Sequence, residues 1–163
     1  FRKRNGRLLR FKPDGQSETL ADPLGYANGL ALSADERSLF MVESDTDSVL
    51  RFEIGADASV SKPEVYGVEC GRFPDGLTLD SEGNLYVCCY ASDEIWRISP
   101  SGEKTLFAWD RWAILLGSPT NMAFGGENLD ELYVANLART TITRAKAPRR
   151  GQPLTNQRIV RNV

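Results

Sequence analysis

One period runs through this chain, and it limits the fold more than any other feature. Three segments align without gaps at their cores: Asn28-Gly29-Leu30-Ala31-Leu32-Ser33, Asp75-Gly76-Leu77-Thr78-Leu79-Asp80 and Asn121-Met122-Ala123-Phe124-Gly125. Each leads into an apolar run, Leu39-Phe40-Met41-Val42, Leu85-Tyr86-Val87-Cys88 and Leu132-Tyr133-Val134-Ala135. Asn28 and Asp75 are 47 positions apart, Asp75 and Asn121 46. A second marker keeps the beat. Arg51, Arg97 and Arg144 follow short apolar stretches (SVLRF, EIWRI, TITRA) at separations of 46 and 47, and RLLRF with Arg10 precedes the first full copy. Self-similarity at this period marks a repeat architecture.

Within each unit the pattern is strand-like. Apolar alternation is short, and SADE, DSEG and GGENLDE stand where hairpins reverse the chain, with KPDG and SPSG marking later turns. No stretch reads as a helix: WAILLGSPT is apolar but short, and Gly117 and Pro119 stop it. A sandwich needs no strict period, and a helical solenoid needs 3.6-residue patterning. About four short antiparallel strands in roughly 45 residues make a propeller blade. The expectation is an all-β, single partial β-propeller domain with repeat units at 7–54, 55–100 and 101–147 and a tail, 148–163, covering an outer edge. At this period 163 residues make roughly three and a half blades, whereas closed rings have about 4–8. The arc therefore reads as the C-terminal part of a six-bladed ring, or as one that closes by self-association through open blade edges.

Composition removes several chemistries. The chain has no histidine, which excludes Ser-His-Asp and Cys-His nucleophile systems, HExxH zinc sites and any histidine base. A net charge of -2 argues against nucleic acid as a partner. No apolar run reaches membrane-span length, so no membrane partner is expected. Cys70, Cys88 and Cys89 lack CxxC spacing, and adjacent strand residues point to opposite faces. They read as buried hydrophobes of a reducing, cytoplasmic compartment.

In a propeller the first strand of each blade lines the central channel, so equivalent positions form a ring. The residue just before each inner strand is read as Asn28, Asp75 and Asn121. One carboxylate and two amides suit a hard cation such as Ca²⁺ or Mg²⁺. Asn-Gly and Asp-Gly are also turn dipeptides, and from spacing alone both readings stay open. Asp45-Thr46-Asp47 lacks the glycine and glutamate of a calcium loop and reads as a loop between strands. The repeated arginines read as outer-strand residues, solvated or paired with acids. Trp96 reads as packing; Trp109 and Trp112 flank a stretch that is a candidate for the channel mouth.

The segments ANGLALSADERSLFMVES, FPDGLTLDSEGNLYVCCY and PTNMAFGGENLDELYVANL resemble three consecutive motifs of the senescence-marker-protein / gluconolactonase / luciferin-regenerating family, in order and spacing, from about Arg7 to Leu154. The resemblance implies a six-bladed propeller with one divalent metal in its channel, Ca²⁺ first and Zn²⁺, Mg²⁺ or Mn²⁺ as alternatives, and hydrolysis of small-molecule lactones. Asn28 matches the family's asparagine metal ligand, and Asp75 of FPDG its aspartate, both ligand and catalytic base. Asn121 matches no invariant ligand and is a candidate pocket residue only. The family's early glutamate and a further channel asparagine have no counterpart here, so inactivity of this chain alone would be explained by that gap. The implied mechanism has the metal polarising the ring carbonyl while Asp75 activates water. The alternatives are a non-catalytic propeller binding module and a strictosidine-synthase-like propeller enzyme, which ANGLALSADERSLFMVE also resembles; FPDG and FGG favour the lactonase group.

Overall fold

A computed structural model describes residues 4–154. Strand β1 (Gly6–Phe11) pairs with β2 (Ser17–Leu24). A four-stranded antiparallel sheet follows in sequence order: β3 (Ala27–Leu32), β4 (Ser38–Glu43), β5 (Ser48–Glu53) and β6 (Glu64–Val68). The next repeats it with β7 (Pro74–Leu79), β8 (Leu85–Cys89), β9 (Glu94–Ile98) and β10 (Lys104–Trp109). The last has three strands, β11 (Pro119–Gly125), β12 (Glu131–Asn136) and β13 (Ile142–Lys146). One 3-10 turn, Ser44–Thr46, is the only helical element among the described residues. The chain is an all-β propeller arc. Arg51, Arg97 and Arg144 fall on third strands β5, β9 and β13, and Arg10 on β1, so β1 and β2 are the outer half of a blade. Three of these arginines pair with acids as expected: Arg10 with Glu18, Arg51 with Glu64, Arg144 with Glu131.

The two four-stranded sheets bury both faces, which explains their short, nearly continuous apolar runs. On β8 all five residues are buried. Leu85, Val87 and Cys89 join Phe40, Val42, Val49, Leu77 and Ile98 in the gap toward the preceding sheet. Tyr86 and Cys88 face the other way, toward Met122, Leu132 and Val134. A third cluster joins Leu8 and Leu24 to Met41, Leu50 and Phe52. The period-2 alternation thus sends Cys88 and Cys89 into different gaps. All three cysteines are free and buried, and burial pushes the Cys70 thiol up to about 11. They act as small hydrophobes.

Neighbouring sheets are tied at one end by a repeated polar clasp. Asp47 and Asp93 occupy the turns between second and third strands, both with left-handed backbone (φ 49° and 55°). The Asp47 carboxylate accepts the Phe73 N–H at 2.7 Å, just before β7. The Asp93 carboxylate accepts the Ser118 N–H at 2.7 Å, just before β11. Their carbonyls accept from Glu69 and Asp110, just past β6 and β10, at 3.1 and 3.2 Å. Each aspartate so holds both ends of the loop that carries the chain from an outer strand to the next inner strand.

The inner strands also approach one another closely. A Cβ on Gly29 would collide with the backbone of Asp75 and Gly76. A Cβ on Gly76 would lie 2.6 Å from both the Thr120 carbonyl and Asn121 Oδ1. Here glycine is required by contact between blades, not by a turn.

Two stability predictions follow from these contacts. Asp93→Ala lowers the unfolding free energy by about 1.5–3 kcal/mol, the worth of a hydrogen bond to a charged group; an unchanged urea midpoint contradicts the clasp. Gly29→Ala and Gly76→Ala each cost about 1–3 kcal/mol through overpacking, and wild-type stability in either would contradict the close approach.

Candidate functional site on the inner strands

Asn28 and Asp75 lie inside inner strands β3 and β7, not before them as the sequence suggested. Both sit at a bulge. Ala27 pairs with Glu43 and Leu30 with Met41, so Asn28 and Gly29 together face Val42. Pro74 pairs with Cys89 and Leu77 with Val87, so Asp75 and Gly76 together face Cys88. A bulge bends its strand and re-aims a side chain, and such bulges are frequent beside active sites. The turn reading of Asn-Gly and Asp-Gly is thereby replaced: both dipeptides are the bulged pairs of channel-lining strands.

The same register corrects the third member. Pro119 pairs with Asn136 and Asn121 with Ala135, and the irregularity falls between them. Thr120 is therefore the equivalent of Asn28 and Asp75, and Asn121 stands at the position of Gly29 and Gly76. Asn121 is exposed, and its Oδ1 accepts the Met122 N–H at 2.8 Å. The sequence alignment slipped by one because it matched asparagine to asparagine.

Asn28 and Asp75 stand on inner strands that touch, since a Cβ on Gly29 would meet the Asp75 carbonyl. The Asn28 amide lies close enough to the Asp75 carboxyl to favour its ionised form. Asn28 Nδ2 donates to Ser44 Oγ at 3.3 Å, and Ser44 Oγ donates to the Pro74 carbonyl at 2.5 Å. Burial pushes the Asp75 carboxyl above the usual carboxylate range, and the nearby Asn28 amide opposes part of that rise. The environment thus makes Asp75 a stronger base than an exposed aspartate.

An aromatic group flanks the pair. Tyr26 and Phe73 each stand two residues before a site residue, with left-handed backbone (φ 55° and 54°), and Ser118 holds the matching place before β11 (φ 51°). The Phe73 ring meets Tyr26 edge-on at 5.7 Å and Tyr90 at 5.1 Å. None of the three aromatics was picked out from sequence. Aligning the residues before each inner strand would have found two of them. Trp109, by contrast, lies on β10, the strand of its sheet farthest from β7. The Trp109–Trp112 stretch begins at an outer edge, not at the channel mouth.

The tail is also placed differently from the sequence expectation. Residues 148–154 cross the far ends of the inner strands instead of an outer edge. Gln152 N–H donates to Leu79 O and its side-chain amide to Leu32 O, each at 3.0 Å. Leu154 joins Leu30, Leu32, Leu77, Leu79 and Met122 around a recess of about 480 Å³. The inner-strand carbonyls and this apolar wall give the tail partners that an outer edge lacks. Residues 155–163 of the tail lie outside the described residues.

The donor chemistry of Asn28 and Asp75, one amide oxygen and one carboxylate, fits a hard divalent cation. The number of donors is smaller than such an ion takes, about 6–8 for Ca²⁺. Among the described residues no group of three or more His, Cys, Asp or Glu could hold an ion. Asn28 and Asp75 are thus suited to be part of a ligand set.

The SMP-30/Gluconolactonase/LRE-like region matches residues 1–138. Regucalcin of Bos taurus is 30% identical over 135 residues, which cover 81% of this chain and 44% of that protein. Pentonolactonase XacC of Haloferax volcanii is 29% identical over 137 residues, covering 79% of this chain and 44% of its own. A solved luciferin-regenerating enzyme superposes with a TM-score of 0.73 at 26% identity, over 93% of this chain and 56% of that one. The chain spans about half the length of the curated relatives it matches. No helix among the described residues is long and apolar enough to cross a membrane. The repeated blades, the paired inner-strand motifs and a match over most of the sequence lead to one conclusion: this chain belongs to the SMP-30/gluconolactonase/LRE-like family.

Proposed function

We propose that the chain carries the Asn28–Asp75 part of a lactone hydrolase site, gluconolactonase-like, with Asp75 as the base. The observation that carries this reading is the placement of Asn28 and Asp75 at equivalent bulges on inner strands of adjacent sheets, whose backbones meet at Gly29. A relative in the same family bears the name pentonolactonase, which supports a sugar-derived lactone as substrate.

Among this chain's own residues at the site, proton transfer falls to the Asp75 carboxylate. Asp75 takes a proton from water as the water oxygen attacks the lactone carbonyl carbon. The tetrahedral species then breaks its bond between the acyl carbon and the ring oxygen. The ring oxygen takes the proton back from Asp75, and the product is an open hydroxy acid. Asn28 favours the ionised form of the carboxyl, and the rings of Tyr26, Phe73 and Tyr90 pack together beside the pair. A divalent cation, Ca²⁺ first, would be held by Asn28 and Asp75, and when bound it polarises a carbonyl oxygen as a Lewis acid.

In the product of the complete reading frame, Asp75→Ala lowers kcat/KM for glucono-1,5-lactone by about 10²–10⁴-fold, the usual worth of a positioned base. Circular dichroism is expected to be unchanged. A folded, fully active Asp75→Ala protein would remove Asp75 from the mechanism. Treatment with a chelator is expected to abolish hydrolysis and added Ca²⁺ to restore it; a rate indifferent to chelation contradicts the cation assignment while leaving Asp75 in place.

A further inference from the structure

Ser44 departs from the repeat at the place where one side chain touches both Asn28 and the carbonyl just before Asp75. Its position is defined by backbone bonds: Ser44 N–H donates to Tyr26 O at 3.1 Å, Tyr90 N–H to Phe73 O at 3.4 Å, and Leu137 N–H to Ser118 O at 2.9 Å. Ser44, Tyr90 and Leu137 are therefore equivalent residues of three successive sheets. Tyr90 packs edge-on against Phe73, and Leu137 is 70% exposed. Ser44 is 1% exposed and turns its hydroxyl toward the next inner strand.

The direction of each hydrogen bond settles the orientation of Asn28. The Pro74 carbonyl can only accept, so the Ser44 hydroxyl proton goes to it, at 2.5 Å. Toward Asn28 the same Oγ is then an acceptor, at 3.3 Å, and the nitrogen of the Asn28 amide must face it. One donor of the amide is thereby engaged, and Oδ1 is turned away from Ser44. The Pro74 carbonyl, moreover, belongs to the peptide bond that delivers Asp75.

We propose that Ser44 is a positioning residue of this site: one buried hydroxyl fixes the Asn28 amide with Oδ1 outward, as an oxygen ligand or acceptor, and ties it to the peptide that carries Asp75. The inference rests on reading Asn28 and Asp75 as the lactone site, yet its first test does not require turnover. In ¹⁵N-labelled protein, Ser44→Ala speeds hydrogen exchange of the Asn28 side-chain amide by about tenfold, the effect of one lost hydrogen bond. Asp93→Ala, which loosens the start of β11 instead, leaves that exchange unchanged. Ser44→Ala also lowers kcat/KM for glucono-1,5-lactone by about 10–100-fold, as loss of a ligand-orienting partner does, and Ser44→Thr, which keeps the hydroxyl, restores part of it. Equal Asn28 exchange in wild type and Ser44→Ala, or equal acceleration by Asp93→Ala, overturns the inference. Wild-type protein without lactone turnover sinks the functional reading alone, because the exchange comparison still decides what Ser44 does.

Discussion

The two four-stranded sheets bury both of their faces, and the rest of the structure depends on that constraint. Strands such as β8 have no solvent side, so a sheet must have a neighbour on each face. Stacking sheets around an axis satisfies both faces at once. It also forces the inner strands together, and Gly29 and Gly76 are the residues that let their backbones meet. The residues beside those glycines, Asn28 and Asp75, are carried onto touching strands by the same crowding. Packing and site are therefore one arrangement.

The polar devices that hold the arc follow the repeat until they reach the site. Asp47 and Asp93 make the same clasp in two successive sheets. Tyr26, Phe73 and Ser118 share a left-handed backbone at the same step. The departures from symmetry gather around one end of the inner strands: a serine where the repeat next has tyrosine and leucine, an aspartate between an asparagine and a threonine. A repeat supplies equivalent scaffolding positions, and chemistry enters where equivalent positions carry different residues.

Much of the fold was legible because burial and turn chemistry act locally. The 46- to 47-residue beat marked the strands, the hairpins and the starts of the inner strands near Asn28 and Asp75. What stayed hidden depends on register and on contacts between sheets. The alignment put Asn121 in the ring because residue identity cannot show a one-residue bulge; the ladder places Thr120 there. The tail reads as polar and proline-rich, yet Gln152 and Leu154 settle against inner-strand carbonyls and leucines far away in sequence. Ser44 looks like an ordinary turn serine until the next sheet supplies Pro74 and its own inner strand supplies Asn28.

The central claim is that Asn28 and Asp75 act as one unit. A double-mutant cycle on lactone hydrolysis, with Asn28→Ala, Asp75→Ala and the double variant in the product of the complete reading frame, addresses it directly. The account predicts strong non-additivity, with the double variant about as impaired as Asp75→Ala alone. Losses in kcat/KM that multiply independently would contradict it.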